Sequence, residues 1–418
     1  MRARSLGRGL VLALTLGMAA LGPSAGAGEI ELRGFMTGRG VLVDGPASWL
    51  DEGFGRFTEP GRREIDADEL ARSGRGEMQA RVEWRPSLLW NVRVHGLGRY
   101  ESSTRAWRAG VAEAFVEFHP ELSATTALRF RLGTVFPSTS LENTRPLWSS
   151  PFTLTLSALD TWIAEELRPT ALEATVVRKG SSRDHEVELG GAILAGADTA
   201  GALLAWRGWT LGDRLVTIGE RVPLPPLASF APGGGFERQR VGTTPIAELD
   251  GRPGWMARIR WSAGPRAGLQ VWAFDNAGDR LLHDGEYAWR TQLVAAGASV
   301  SAGPRFTLMA DAMLGRTGMG SLDEAHVDID FRTAYVLATV GGERVRLSGR
   351  YDIFRNFDRD HTAEPDDDDG HAWTAAVLWS PARRVRLAVE AVRVVATRPA
   401  APVDTGGRRF SGELRIGF

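Results

Sequence analysis

The chain has 418 residues, with 50 Lys or Arg against 51 Asp or Glu, a formal charge of −1 and no cysteine. The absence of Cys excludes a disulfide framework and thiolate metal sites, and the near-neutral balance gives no footing for nucleic-acid binding. Beyond the first residues there is no run of roughly 18 apolar residues, so a helical membrane span is excluded as well.

Residues 1–27 read as a signal peptide. Arg2, Arg4 and Arg8 form the basic region, Leu10 to Leu21 the apolar core, and Ala25-Gly26-Ala27 a small-residue cleavage site. An exported chain beginning at Gly28 carries 47 basic and 51 acidic residues, a charge of −4. Residues 28–418 suffice for two soluble domains or one large barrel. Fourteen Trp, fifty Gly and a preference for Arg over Lys favour the barrel.

Glu29–Thr37 alternates Ile30, Leu32, Gly34 and Met36 against Glu31, Arg33 and Phe35, and is expected as the first strand. Residues 38–75 are polar and Gly-rich and read as a long loop with a short helix near Ile65–Ala71. From Gly76, strands recur in pairs joined by short turns: 77–85 with 88–100, 111–119 with 125–136, 171–179 with 185–194, 254–262 with 267–275, 287–301 with 305–314, 325–340 with 343–354, and 371–380 with 383–396. Longer polar links separate the pairs. The final strand, Arg408–Phe418, sets Phe410, Gly412, Leu414, Ile416 and Phe418 against Arg409, Ser411, Glu413, Arg415 and Gly417, and stops on an aromatic in phase with its apolar face.

Tight turns alternating with long loops are what an antiparallel transmembrane β-barrel requires, with the tight turns periplasmic and the long loops outside. Both termini then fall on the periplasmic side of an outer membrane, and the strand count must be even. The list above gives sixteen, preferred to the eighteen that a further hairpin in Gly201–Gly219 would make, because Trp206-Arg207-Gly208-Trp209 and the Asp213-Arg214 pair do not alternate cleanly. The alternative is a soluble sandwich. The faces favour a barrel: Trp255, Ala257, Ile259 and Trp261 oppose Met256, Arg258 and Arg260, and Trp373, Ala375, Val377 and Trp379 repeat the apolar row with an aromatic at each end. Aromatics at strand ends suit membrane interfaces, and the charged opposite face suits a wet lumen.

Alternation places Arg81, Arg85, Arg93, Arg129, Arg131, Arg258, Arg260, Arg344, Arg346, Arg350, Arg384, Arg386 and Arg415 in the lumen, with Glu83, Glu117, Glu188, Glu390 and Glu413 among them. Such arginines either concentrate anions or form a structural Arg–Glu ladder with little selectivity. Residues 137–170 are rich in Pro, Ser and Thr and carry Trp148, Phe152 and Trp162. A loop of this length studded with rings is expected to fold into the barrel as a constriction. Glu142, Arg145, Glu165, Glu166 and Arg168 are its candidate charges. Residues 195–253, with Trp206, Arg207, Trp209, Asp213, Arg214 and Pro223, Pro225 and Pro226, are a second candidate plug.

The stretch F-R-L-G-T-V-F-P-S-T-S-L-E-N at 130–143, followed by E-E-L-R-P-T at 165–170, resembles the phosphate-selective (polyphosphate-type) porin family and its proteobacterial relatives. The matching residues are Arg131, Gly133, Phe136, Pro137, Ser140, Leu141 and Glu142. The resemblance implies a sixteen-stranded, trimeric channel with an inward constriction loop, and Phe418 is similar to the signal read by the barrel-assembly machinery. The chain departs from phosphate-selecting members in having no Lys in the loop, with only Lys179 placed on a strand.

These features give the expectation of an outer-membrane channel for passive diffusion of small hydrophilic solutes, with a mild anion preference. It has no cofactor and no metal site, and its partners are membrane lipid and lipopolysaccharide, the assembly machinery and a homotrimer's other subunits. The run Asp366–Asp369, near Asp358, Asp360, Glu364 and His361, reads as a solvated loop tip or a gatherer of divalent cations. The competing classes are a structural or assembly barrel with little conductance and an outer-membrane hydrolase. The seven histidines lie in no G-x-S-x-G or H-E-x-x-H context, so no enzyme activity is expected.

Overall fold

The computed structural model describes residues 28–61, 70–180, 184–321, 323–360, 362, 364–402 and 404–418. Sixteen antiparallel strands close into one barrel. In chain order they are β1 (Glu29–Asp44), β2 (Ala71–Arg85), β3 (Trp90–Glu101), β4 (Ala106–Phe118), β5 (Thr126–Thr134), β6 (Thr170–Lys179), β7 (His185–Ala195), β8 (Gly254–Ala263), β9 (Ala267–Asp275), β10 (Arg290–Ala302), β11 (Phe306–Met319), β12 (Val327–Gly341), β13 (Val345–Asp358), β14 (Asp368–Ala382), β15 (Val385–Thr397) and β16 (Gly407–Gly417). A three-residue piece, Glu121–Ser123, pairs with β5 inside the β4–β5 hairpin.

Closure is made by β1 and β16, whose register runs from Phe35 opposite Gly417 to Asp44 opposite Arg408. Beyond the last pair, the Phe418 N–H donates to Gly34 O at 2.9 Å and the Gly34 N–H to Phe418 O at 3.1 Å. The Phe418 ring lies on Gly34, where a Cβ would come within 2.3 Å of the ring. Each of the sixteen strands is paired on both sides, so the sheet has no open edge to present to lipid.

The side chains sort by pleat. Ile30, Leu32, Leu189, Ile193 and Leu414 point outward, each close to half exposed, while Arg39, Glu83, Arg131, Glu173 and Glu413 point inward and are buried. A charge on the outer face at mid-membrane costs about 2–4 kcal/mol, which makes the register strongly specified. Outward Trp84, Trp90, Trp261 and Trp379 lie toward one rim and Trp107, Trp255 and Trp373 toward the other.

The connections at the rim that carries Glu29 and Phe418 are all short, while the other rim carries the long links and also the short β3–β4 turn, residues 102–105. One expectation about the wall is corrected. Residues 38–44 and 71–76 are not loop but extend β1 and β2, with Gly38 opposite Gly76 and Gly40 opposite Gly74; flexible-looking glycines hid a regular ladder. The expected count of sixteen holds, since Gly201–Gly219 adds no hairpin. Residues 1–27, His361 and most of the expected Ile65–Ala71 helix lie outside the described residues, and Ala71 itself opens β2.

Candidate functional site in the barrel lumen

The link from β5 to β6 turns inward. Gly133 takes φ +141°, where a Cβ would strike Ala114 O at 2.3 Å. The chain leaves the wall just beyond it. Phe136 stacks on Trp148 with centroids 4.7 Å apart, and the Arg168 guanidinium lies 4.2 Å over the Phe136 ring, so the loop's two ends are held together by one aromatic stack.

The far side of the loop reaches the opposite wall. Arg350 on β13 is fully buried and donates to Glu142 Oε1 at 2.6 Å, to Thr155 O at 2.8 Å and to Leu156 O at 2.7 Å, with its Nε on Asp352 Oδ2 at 2.8 Å. Glu390 on β15 accepts from the Leu154 N–H at 2.6 Å and the Thr155 N–H at 3.1 Å. Asp352 accepts from the Ala158 N–H at 3.1 Å. That residue opens α1 (Ala158–Glu166), capped by Ser157, whose hydroxyl accepts from the Asp160 N–H. No residue of α1 is exposed.

The link from β7 to β8 enters beside it and forms α2 (Ala202–Trp206). Glu166 ties the two helices: it accepts from the Leu203 N–H at 2.7 Å, the Gly201 N–H at 3.2 Å and Trp162 Nε1 at 2.6 Å. Arg207 pairs with Glu165 at 2.8 Å. Trp206 meets Phe230 and Trp289 edge-on, each at 4.9 Å, and Trp209 donates from Nε1 to Asn356 at 2.8 Å. Both segments therefore fill the long-loop half of the barrel with one apolar core. Burial pushes the Glu166 carboxyl up to about 7, against the opposing pull of its hydrogen bonds and Arg207. Burial would raise Asp213 too, but Arg39 at 2.9 Å and Arg75 at 2.6 Å hold it well below the usual carboxylate range.

The strand arginines surround what remains of the lumen. Glu83 is shared by Arg81, Arg85 and Arg93, Glu188 by Arg129 and Arg258, and Glu413 by Arg39, Arg386 and Arg415. Each of these three carboxylates thus serves two or three guanidiniums, whereas Glu173 serves Arg131 alone at 2.7 Å and Arg350 serves both Glu142 and Asp352. Arg344 and Arg384 are corrections: both lie in exposed turns, because the alternation was extended past the true strand starts. Arg346 bonds Pro151 O at 2.8 Å.

Against this wall lies a cavity of about 330 Å³ lined by Arg81, Arg93, Arg131, Arg145 and Arg260, with Glu113 the single carboxylate in its lining among the described residues. Glu113 is engaged by the Phe136 N–H at 3.0 Å. Arg93 and Arg131 both stand over the Phe115 ring, at 5.0 and 5.5 Å. Asn143 also lines the cavity, and its side-chain amide has no hydrogen-bond partner among the described residues. Of the loop charges, only Arg145 lines this cavity, with Trp148 beside it; Glu142, Glu165, Glu166 and Arg168 are buried inside the plug.

Two features were missed by sequence reasoning. Asp352 and Arg350 share a strand face at spacing two, which was a legible signal for a buried pair. Asn143 gave none. The aspartate run also behaves differently from a solvated tip: Asp366 pairs with Arg398 at 3.0 Å and Asp368 with Arg56 at 2.5 Å, while Asp367 and Asp369 face out.

No protein-family model and no curated protein matches the sequence. Among solved structures the chain is similar to the outer membrane channel DcaP of Acinetobacter baumannii, at 12% identity and TM-score 0.55 over 95% of this chain and 99% of that one. It is similar to Salmonella typhi OmpF in complex with daunomycin, at 10% identity and TM-score 0.52 over 95% and 100%. The anion-selective porin from Comamonas acidovorans matches at 10% identity and TM-score 0.50 over 93% and 99%. The structural neighbours are Gram-negative outer-membrane porins, and the fold of this chain is theirs.

Proposed function

We propose that this barrel is an outer-membrane channel for passive diffusion of small hydrophilic solutes, with a preference for small anions. The observation that carries the reading is the cavity with five guanidiniums and one engaged carboxylate in its lining. In a low-dielectric wall such a cluster raises the local concentration of carboxylates or phosphates and offers them bidentate contacts. The loop residues matching the polyphosphate-type pattern, Arg131 through Glu142, support a constriction role, although the loop's lack of Lys argues for mild rather than phosphate-specific selection. The termini at the short-turn rim are assigned to the periplasm, Phe418 to assembly recognition, and residues 1–27 to export.

Reversal potentials across a salt gradient in a planar bilayer test the selectivity; current carried mainly by cations would refute it. A second reading, a barrel of little conductance, is favoured by the plug, in which Trp162, Glu165, Leu204 and Trp206 are at most 1% exposed. Insertion of purified barrel without conductance steps would select that reading. For assembly we propose a homotrimer joined through the outer face around Gly38, Gly40, Gly76 and Gly412, where an added Cβ would meet nothing within 4 Å and a second wall can approach closely.

A further inference from the structure

On the outer face of the barrel, Arg332 of β12 stands directly opposite Arg355 of β13. Like charges in directly opposed positions of an antiparallel pair are unfavourable. Both guanidiniums nevertheless converge on one ring, Phe357, at 4.7 and 4.5 Å. Arg355 has Asp369 at 3.1 Å, on a carboxylate that is itself 60% exposed. Among the described residues Arg332 has no carboxylate partner.

The pair does not stand on a bare surface. It closes one end of an outward groove of about 530 Å³ whose floor is Ala296, Ala312 and Ala334, with Leu314 and Ile353 as flanks. Tyr351 and His371 also line the groove, their rings 5.9 Å apart, with His371 level with Ile353 and Tyr351 four residues before Arg355 on β13, away from the cationic end. The apolar part runs toward the mid-height of the wall, and the cationic part lies near the rim that carries the long links, three residues before the end of β13. Elsewhere on that rim the opposed arginines Arg393 and Arg408 border a cavity that also holds Asp44, Glu52 and Asp404. Among the described residues the Arg332–Arg355 groove is lined by one carboxylate, Asp369.

An apolar trough capped by two cations at the depth of lipid headgroups fits an acyl chain ending in a phosphorylated head. We propose that this groove is a binding site for the phosphorylated glycolipid of the outer leaflet, with a phosphate between Arg332 and Arg355 and one acyl chain over the alanine floor. The inference rests on the assignment of the long-link rim to the outer leaflet, and not on solute conduction. Charge complementarity selects this occupant over a zwitterionic lipid.

The test is native mass spectrometry of the full-length, folded barrel in neutral detergent, titrated with lipid A, with dephosphorylated lipid A and with phosphatidylglycerol. The expected result is at least tenfold tighter binding of lipid A than of either other lipid. The Arg332→Gln/Arg355→Gln variant should erase that difference, Ala312→Phe should weaken lipid A and its dephosphorylated form alike, and Arg316→Gln on the neighbouring strand should change nothing. The wild-type comparison needs no variant to fold, and heat-modifiable migration checks those that are used. Equal binding of the phosphorylated and dephosphorylated forms, equal binding of phosphatidylglycerol, or an unaltered double variant would each overturn the proposal. Bilayer conductance, measured separately, would stand or fall without it.

Discussion

Arg350 and Glu142 meet at 2.6 Å with both side chains fully buried, one on the wall at β13 and the other on the loop that leaves β5. The contact crosses the lumen. Its removal from one side strands a buried charge, which costs about 3–5 kcal/mol. Arg350→Gln is therefore expected to leave the wall folded, since strand pairing does not depend on it, but to free the loop. Single-channel recording should show a larger or noisier conductance than wild type; an unchanged conductance would mean that the loop is held by other contacts.

Glu166 links the two plug helices and titrates in an accessible range. Its folded-state value, about 7, lies above the ordinary 4.5, so the folded plug prefers the protonated carboxyl. The resulting stability is fully present below pH 4.5 and is lost as pH rises through 7. The whole effect is on the order of 3 kcal/mol. Hydrogen exchange in residues 158–209, corrected for the intrinsic rate, should report a looser plug at pH 8 than at pH 5. Glu166→Gln should flatten that dependence.

The cavity arginines make a selectivity prediction. Replacing Arg93, Arg131 and Arg260 by Gln removes three of its five guanidiniums while Glu83 and Glu188 remain close by. The permeability ratio of chloride to potassium should fall several-fold, read from the shift in reversal potential. No shift would mean that ions bypass this cavity.

Gly34 and Phe418 predict an assembly phenotype. Gly34→Val would drive a side chain into the terminal ring, and deletion of Phe418 would remove that ring with the last two cross-closure hydrogen bonds. Both changes should reduce the yield of heat-modifiable barrel in membranes and leave the selectivity of any folded channel unaltered. Normal yield for both would separate the terminus from assembly.

The wall was legible in the sequence because its signal is local. A period of two with charges on one face and Trp at the ends is readable from one strand, and Trp255–Trp261 or Phe410–Phe418 needed no partner to be interpreted. Strand ends were less legible where glycine replaced the alternation, as at Gly38, Gly40, Gly74 and Gly76. The entry of residues 137–170 into the lumen could be anticipated from Trp148 and Trp162, but α1 could not, because its apolar and polar residues are buried alike and leave no amphipathic stripe. The clasp partners were beyond reach for a different reason: Glu142 and Arg350 are separated by 208 positions, and only closure of the barrel brings them together.

The plug springs from the early wall, is tied to it in part through Arg39 and Arg75 on Asp213, and is completed by the late one. Its two segments follow β5 and β7, and five further anchors, Arg350, Asp352, Asn356, Asp368 and Glu390, belong to β13, β14 and β15. During synthesis and transport the early strands are present while those anchors do not yet exist in folded form. Complete seating of the plug is therefore a late event in maturation, one that reports on a finished circumference, and an unfinished barrel would keep the Trp-rich segments within reach of chaperones and proteases.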